Sequence, residues 1–364
     1  MAPQVNLSSL LTLHNLRMDP VLAALEDAMM YGDEGEEERS ECCAALITAA
    51  ENLGLRGNLL PHYLLHSITH TPNIVSETME RTGLPPGNSL RHIFHQDIAL
   101  LYPIFTLPTS AFLRTEALDD YEPTKNVYDK TEDFILPLLD AAKTTEDYAE
   151  ALLTFYARYG CGDIASYSVF RWDSAVHHIC GVDYFERPRM KDIIGYQHQK
   201  ELLIRNTRAF VLGKPSNHVL LVGTRGTGKS SAVKALVSEY EENGLRLVQV
   251  TKEQLRELST IMNELRRYAG RKFIIFLDDL SFEDSDAEFK AVKSAIEGSV
   301  SSCPSNVRIY ATSNRRHLIR ETWREREQDE VHRDDSINEA ISLSDRFGLI
   351  IQYHTPDQEE YLAI

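Results

Sequence analysis

The chain has 364 residues, 43% hydrophobic and 26% charged, with 18 Gly and 14 Pro, values of a globular protein long enough for two domains and not of a collagenous, low-complexity or largely disordered one. No apolar run reaches the roughly 18 residues of a membrane span, Met1–Asn6 lacks the pattern of a secretory leader, and five scattered cysteines (Cys42, Cys43, Cys161, Cys180, Cys303) form no disulfide or metal-ligand framework, so a soluble, cytoplasmic protein with reduced thiols is expected. The net charge of −17 is lopsided: residues 1–185 carry 27 acidic against 11 basic side chains, hence −16, and residues 186–364 carry 28 against 27, hence −1, which opposes nucleic-acid binding through the first half and puts any anion site in the second.

Helical periodicity runs through Leu22–Met30, Ala44–Leu53, Leu59–Ile68, Asp133–Ala142 and Tyr148–Tyr159, separated by turn-formers such as Pro85-Pro86-Gly87-Asn88. Residues 1–185 therefore read as an acidic α-helical domain without an array of strands. Its stretch Asp33–Glu41 reads as a solvated loop or helix start. His62, His66 and His70 share one helical face, as do His92 and His95 in spacing, but no carboxylate completes a metal set, so no metal is expected there.

Beyond a boundary near Asp183–Lys191 the pattern changes. Short apolar runs at His218–Val222, Leu245–Val250, Lys272–Leu277, Val307–Ala311 and Leu349–Tyr353 alternate with helical stretches, which predicts a five-stranded parallel sheet covered by helices on both faces over residues 186–364. Thr251 with Gln254, and Ser285 with Glu288, have the spacing of capping boxes at helix starts.

Gly223-Thr224-Arg225-Gly226-Thr227-Gly228-Lys229-Ser230, followed by Ser231, satisfies G-x-x-x-x-G-K-[ST] between an apolar run and a helical stretch. Its glycines let backbone N–H groups turn inward onto a phosphate, Lys229 reaches the β- and γ-phosphates of a nucleotide, and the Ser230 hydroxyl is a ligand for Mg²⁺. The run Phe273–Leu277 ends in Asp278 and Asp279, which must emerge on the same sheet edge as the phosphate loop. Asp278 is expected to hold the metal, and Asp279 to orient and polarise the attacking water.

These elements occur in the order of an AAA+ ATPase. Asp192-Ile193-Ile194-Gly195-Tyr196, the phosphate loop, the twin aspartates, Ala311-Thr312-Ser313-Asn314-Arg315 and Ser344-Asp345-Arg346-Phe347-Gly348 carry the resemblance. The sequence is more particularly similar to a bacterial family of uncharacterised predicted AAA+ ATPases, through Phe170-Arg171-Trp172, Gly223–Ser231, Asp278-Asp279-Leu280-Ser281-Phe282 and Ala311–Leu318. The resemblance implies that Asn314 is the sensor-1 amide beside the γ-phosphate, that Arg346 is an arginine finger reaching a neighbouring subunit, and that Gly195 and Tyr196 pack around adenine. Read without it, Asn314 is a turn residue and Arg346 a partner of Asp345. Two departures stand out. Asp279 occupies a position where such enzymes usually carry the longer Glu, and the sequence stops at Ile364, so the small helical lid with its sensor-2 arginine is expected to be missing.

The expected function is ATP binding with Mg²⁺-dependent hydrolysis, coupled to remodelling or loading of a macromolecular client, by a homo-oligomer formed through the ATPase core and without membrane contact. The alternatives are a nucleotide-gated interaction protein with negligible hydrolysis and a helicase-loader-like nucleic-acid protein. Arg315, Arg316, Arg320, Arg324 and Arg326 read as a solvated basic helix face offset by Glu321, Glu325 and Glu327, and His332-Arg333-Asp334 as a coincidental match to a kinase triplet.

Overall fold

Apolar residues at helical spacing build the first of two units, Met1–Ser166, and the second comprises Tyr167–Ile364. The structure, a computed structural model, describes residues 6–125, 127, 130–280, 286–297, 303–314 and 346–354. In the first unit, helices Pro20–Met30, Glu36–Leu53, Leu59–His70, Lys130–Asp140 and Thr145–Tyr159 form where the periodicity expects them. Ile74–Thr82 and Asn88–Thr106 add two that the periodicity does not single out. The acidic stretch is a helix start: Glu36, Glu37 and Glu38 occupy the first turn, where the positive end of the helix dipole favours them. Asp19 caps the first of these helices by accepting the N–H groups of Val21 and Leu22, both at 3.0 Å.

Asp97, 1% exposed in the middle of Asn88–Thr106, is a carboxylate inside a leucine-rich core. It is tolerable there because it accepts the backbone N–H groups of Leu11 (3.1 Å), Thr12 (2.6 Å) and Leu13 (3.0 Å) and the Thr12 hydroxyl (2.6 Å). No helix among the described residues is long and apolar enough to cross a membrane.

The second unit is organised by one sheet. Its strands are β1 (Val169–Asp173), β2 (His178–Gly181), β3 (Val219–Gly223), β4 (Leu245–Val250), β5 (Lys272–Leu277), β6 (Val307–Ser313) and β7 (Leu349–Tyr353), in the order β2-β1-β4-β5-β6-β3-β7. The five strands β3 to β7 coincide with the five apolar runs and are mutually parallel. One face buries Val219, Leu221, Leu247, Ile274, Phe276 and Ile351 against Leu203, Phe210, Val233 and Leu236, which come from helices Gln197–Val211 and Lys229–Tyr240. The alternate residues Leu220, Phe273, Ile275 and Ile309 are buried as well, so both faces are covered, as a parallel sheet requires. Thr251 accepts its expected role, with its N–H on Gln254 Oε1 at 3.1 Å ahead of the 3₁₀ turn Lys252–Glu257. Ser285 of the second capping box lies outside the described residues.

Among the described residues two further strands join the five expected ones, so the sheet has seven strands and is mixed, mostly parallel. The hairpin β1–β2 is antiparallel and joins through β1, parallel, to β4. The unit accordingly begins at Tyr167, ahead of the boundary read near residue 185 from the shift in charge. Phe170 and Trp172 are buried while Arg171 between them is exposed, and the turn is an Asx turn, with Asp173 Oδ1 accepting the Ala175 N–H at 2.9 Å.

His218, half-buried at the entry to β3, accepts the Ile309 N–H on Nδ1 at 2.9 Å, a bond that needs that nitrogen unprotonated. Burial, and then the nearby Arg308, push its pKa down to about 4 from 6.5. The unfolded chain takes up a proton near pH 6.5 and the folded chain does not until about pH 4, so stability is complete above pH 6.5 and declines as pH falls through that window. The expected loss is on the order of 2 kcal/mol, discounted for partial exposure. Urea unfolding at pH 7 and pH 4.5 should show a smaller drop for His218→Gln than for the parent; equal drops would exclude His218 as a source.

Candidate functional site

The strands β3, β5 and β6 end on one edge, and the segments leaving them converge there. After β3 the chain must turn sharply past β7: a Cβ on Gly223 would stand 2.2 Å from the Tyr353 carbonyl oxygen, so only glycine fits. The turn continues through Gly226 and Gly228, and Gly228, with φ +77, caps the helix that starts at Lys229. Thr227 Oγ1 donates to the Thr224 carbonyl at 3.0 Å and closes the loop on itself.

Lys229 is 5% exposed. Its ammonium donates to the carbonyls of Gly223 (3.0 Å) and Thr224 (2.6 Å) and to Asn314 Oδ1 (3.1 Å). Burial lowers its pKa, against the pull of Asp279 and then Asp278. Ser230, one residue on, donates to Asp278 Oδ1 at 2.6 Å. The same oxygen accepts the Thr312 hydroxyl at 2.7 Å, and Thr312 Oγ1 accepts the Asp279 N–H at 2.9 Å. Asn314 turns its other end outward, Nδ2 donating to Asp279 Oδ1 at 2.5 Å. Asp279 Oδ2 faces the Arg225 guanidinium at 3.5 Å.

Arg225, Gly226, Thr227, Gly228, Lys229, Ser230, Ser231, Asp278, Asp279, Thr312 and Asn314 thus line one cleft of about 340 Å³. A second, smaller cleft of about 120 Å³ adjoins it at Gly223, Thr224, Asn314, Tyr353 and His354. Among the described residues no three His, Cys, Asp or Glu side chains are gathered to hold a metal; within the cleft the Ser230 hydroxyl and the Asp278 carboxylate stand together, hard oxygen donors of the kind that suits Mg²⁺.

Gly195 and Tyr196 both have left-handed backbones, φ +70 and +54. The Tyr196 ring lies 4.8 Å from that of Tyr353 and its hydroxyl donates to the His354 carbonyl at 2.7 Å, so this segment is fastened to the end of β7 beside the smaller cleft. Ile193 just before it approaches Gly228, at 3.4 Å from where a Cβ would be. Arg346 is not in either cleft. It is exposed and precedes the first residue of β7, at the opposite edge of the sheet from the phosphate loop, since β7 runs parallel to β3 with Tyr353 level with Gly223.

Thr312 is the residue that sequence reasoning left out. Its signal lay in strand register: with Leu277 opposite Ala311, the next residue of each strand must meet, and Thr312 therefore meets Asp278. In the helical unit, the rings of His66 and His70 stack at 3.9 Å. The basic series from Arg315 to Arg326, the triplet His332–Asp334 and Ser344-Asp345 lie outside the described residues.

A family model described as "Protein of unknown function (DUF815)" matches residues 165–364. Over 102 residues, 27% of this chain, the sequence is 26% identical to the replication factor C large subunit of Methanococcus maripaludis, covering 21% of that protein. Among solved structures the chain is similar to the RuvB Holliday junction branch migration motor of Thermotoga maritima, at 19% identity and TM-score 0.33 over 46% of this chain and 48% of that one. A variant of that motor with one threonine replaced by valine matches over the same shares, also at 19% identity, at TM-score 0.31. The chain thus spans about a fifth of the curated relative and about half of these solved structures.

Proposed function

The chain belongs to the DUF815 family, a family of predicted AAA+ ATPases, and from that premise we propose that its second unit binds ATP with Mg²⁺ and hydrolyses it to ADP and phosphate to drive remodelling or loading of a macromolecular client. The observation that carries this reading is the convergence on one cleft of a buried ammonium (Lys229), a hydroxyl–carboxylate pair (Ser230 and Asp278) and an amide–carboxylate pair (Asn314 and Asp279). Lys229 has its N–H groups spent on loop carbonyls at 2.6 and 3.0 Å, bonds it can exchange for stronger, charge-assisted ones to a polyphosphate. Ser230 and Asp278 would hold Mg²⁺, which when bound neutralises charge on the β- and γ-phosphate oxygens. Asp279 orients the attacking water and accepts its proton, with Asn314 fixing the carboxylate and reaching toward the γ-phosphate. Gly195 and Tyr196 border the base, beside the smaller cleft.

One observation favours a second reading. Both Asp279 oxygens are engaged, by Asn314 and Arg225, as suits a nucleotide-gated interaction protein that hydrolyses ATP slowly. Turnover by the full chain separates the two. The −16 carried by residues 1–185 opposes a loader that grips DNA through that half.

Fluorescent-nucleotide titration should find Lys229→Ala weaker for ATP by about tenfold to a hundredfold, the worth of charge-assisted hydrogen bonds. Unchanged affinity would remove the phosphate-loop assignment. Asp278→Asn should impair Mg²⁺-dependent binding and turnover together, whereas Asp279→Asn should keep ATP bound and lower turnover by about 10²-fold or more. Wild-type turnover in Asp279→Asn would show that another group handles the water.

Arg346 lies at the far edge of the sheet from its own cleft, so the finger role that the AAA+ resemblance implies would be played across a subunit boundary, and Arg346→Ala should cut turnover by on the order of 10³-fold while sparing ATP affinity. Excess Arg346→Ala protein mixed with Lys229→Ala protein should regain activity, because mixed interfaces unite an intact loop with an intact finger. A monomer by light scattering whose turnover per chain is unchanged by dilution would rule the trans arrangement out.

A further inference from the structure

The phosphate loop carries an arginine whose side chain is 82% exposed and whose Nη2 stands 3.5 Å from Asp279 Oδ2. The loop does not need this side chain for its shape: Thr227 Oγ1 on the Thr224 carbonyl, and Lys229 on the carbonyls of Gly223 and Thr224, hold it closed. Arg225 therefore has a side chain available for another purpose. It lines the same cleft as Lys229, Ser230 and Asp279, on the side of the acid assigned to the attacking water.

The pair is weak by construction. With 82% and 54% exposure, such a bridge shifts an equilibrium by at most about fivefold. The terminal phosphate of a nucleoside triphosphate carries more charge than a carboxylate and presents oxygens that a guanidinium fork grips in two places. Competition between them goes to the phosphate. We propose that Arg225 is a movable cation specific for the outermost phosphate: it pairs with Asp279 as the structure shows and transfers to that phosphate when a triphosphate enters, leaving Asp279 Oδ2 open to water. A diphosphate has no group at that position, so it leaves the Arg225–Asp279 pair closed. The inference rests on the reading of the cleft as a nucleoside triphosphate site, and it adds a means by which the site tells ATP from ADP.

The test titrates the full chain, in Mg²⁺, with ADP and with an ATP analogue whose β–γ bridge cannot be hydrolysed, using wild type, Arg225→Ala, Arg225→Lys and Lys229→Ala. Arg225→Ala should lose about tenfold in affinity for the triphosphate analogue, the scale of a charge-assisted contact, and less than about twofold for ADP. Arg225→Lys, which keeps the charge without the fork, should recover part of the loss. Equal losses for the two nucleotides, or none, would overturn the proposal while Lys229→Ala still weakened both, leaving the phosphate-loop reading intact. A wild-type chain that binds neither nucleotide would overturn both.

Discussion

A lysine ammonium held at 5% exposure at the end of a parallel sheet is the constraint around which the second unit is arranged. Such a group is costly unless its protons are taken up, and the acceptors at hand are carbonyls of its own loop. For the Gly223 and Thr224 carbonyls to point at Lys229 Nζ, the chain has to leave β3 through a turn so tight that a Cβ on Gly223 would strike Tyr353. The third acceptor, Asn314 Oδ1, fixes where β6 must end. An amide that gives its oxygen to Lys229 has its nitrogen left for a carboxylate, and Asp279 receives it. One buried charge thereby dictates the ends of several strands.

What the sequence reveals and what it hides divide along local and distant interactions. The five apolar runs of β3 to β7, the glycine spacing of the phosphate loop and the pairing of Asp278 with Ser230 are legible because each depends on neighbours in sequence or on the general rule that parallel strands present their ends together. The hairpin β1–β2 escapes notice because it is short, has charge on either side and is stabilised by β4, whose residues pair with it from more than seventy positions away. The helix Asn88–Thr106 is obscured for a related reason. Asp97 sits on its buried side, an acid where periodicity asks for an apolar residue, and the amides that satisfy it belong to residues 11 to 13. Thr312 needed strand register, which no single run contains.

The two consecutive aspartates illustrate how a strand end separates like residues. Asp278 faces the helix and β6, where two hydroxyls, from Ser230 and Thr312, donate to one of its oxygens. Asp279 faces the cleft, where an amide and a guanidinium meet it. Chemically identical side chains thus acquire different surroundings, hydroxyls for one and an amide and a guanidinium for the other, the kind of asymmetry by which paired carboxylates elsewhere take different roles.

Asp279 is also one of the few residues other than glycine with a left-handed backbone, φ +53, a conformation that aspartate tolerates better than most. It breaks the extended course of the chain immediately after Asp278, and Leu280 then returns its N–H to the Thr312 carbonyl at 2.7 Å, beside the Asp279 N–H on the Thr312 hydroxyl. Strands in a sheet buried on both faces and rich in Ile, Val and Phe present few side-chain cues against sliding, and a slide of one residue would put one acid in the other's place and carry the other out of position. A slide one way would put Leu280 at the left-handed position, which leucine tolerates worse than aspartate, and a slide the other way would put Leu277 where two hydroxyls now donate to Asp278, so the backbone turn that aims a carboxylate at the cleft also favours the observed register.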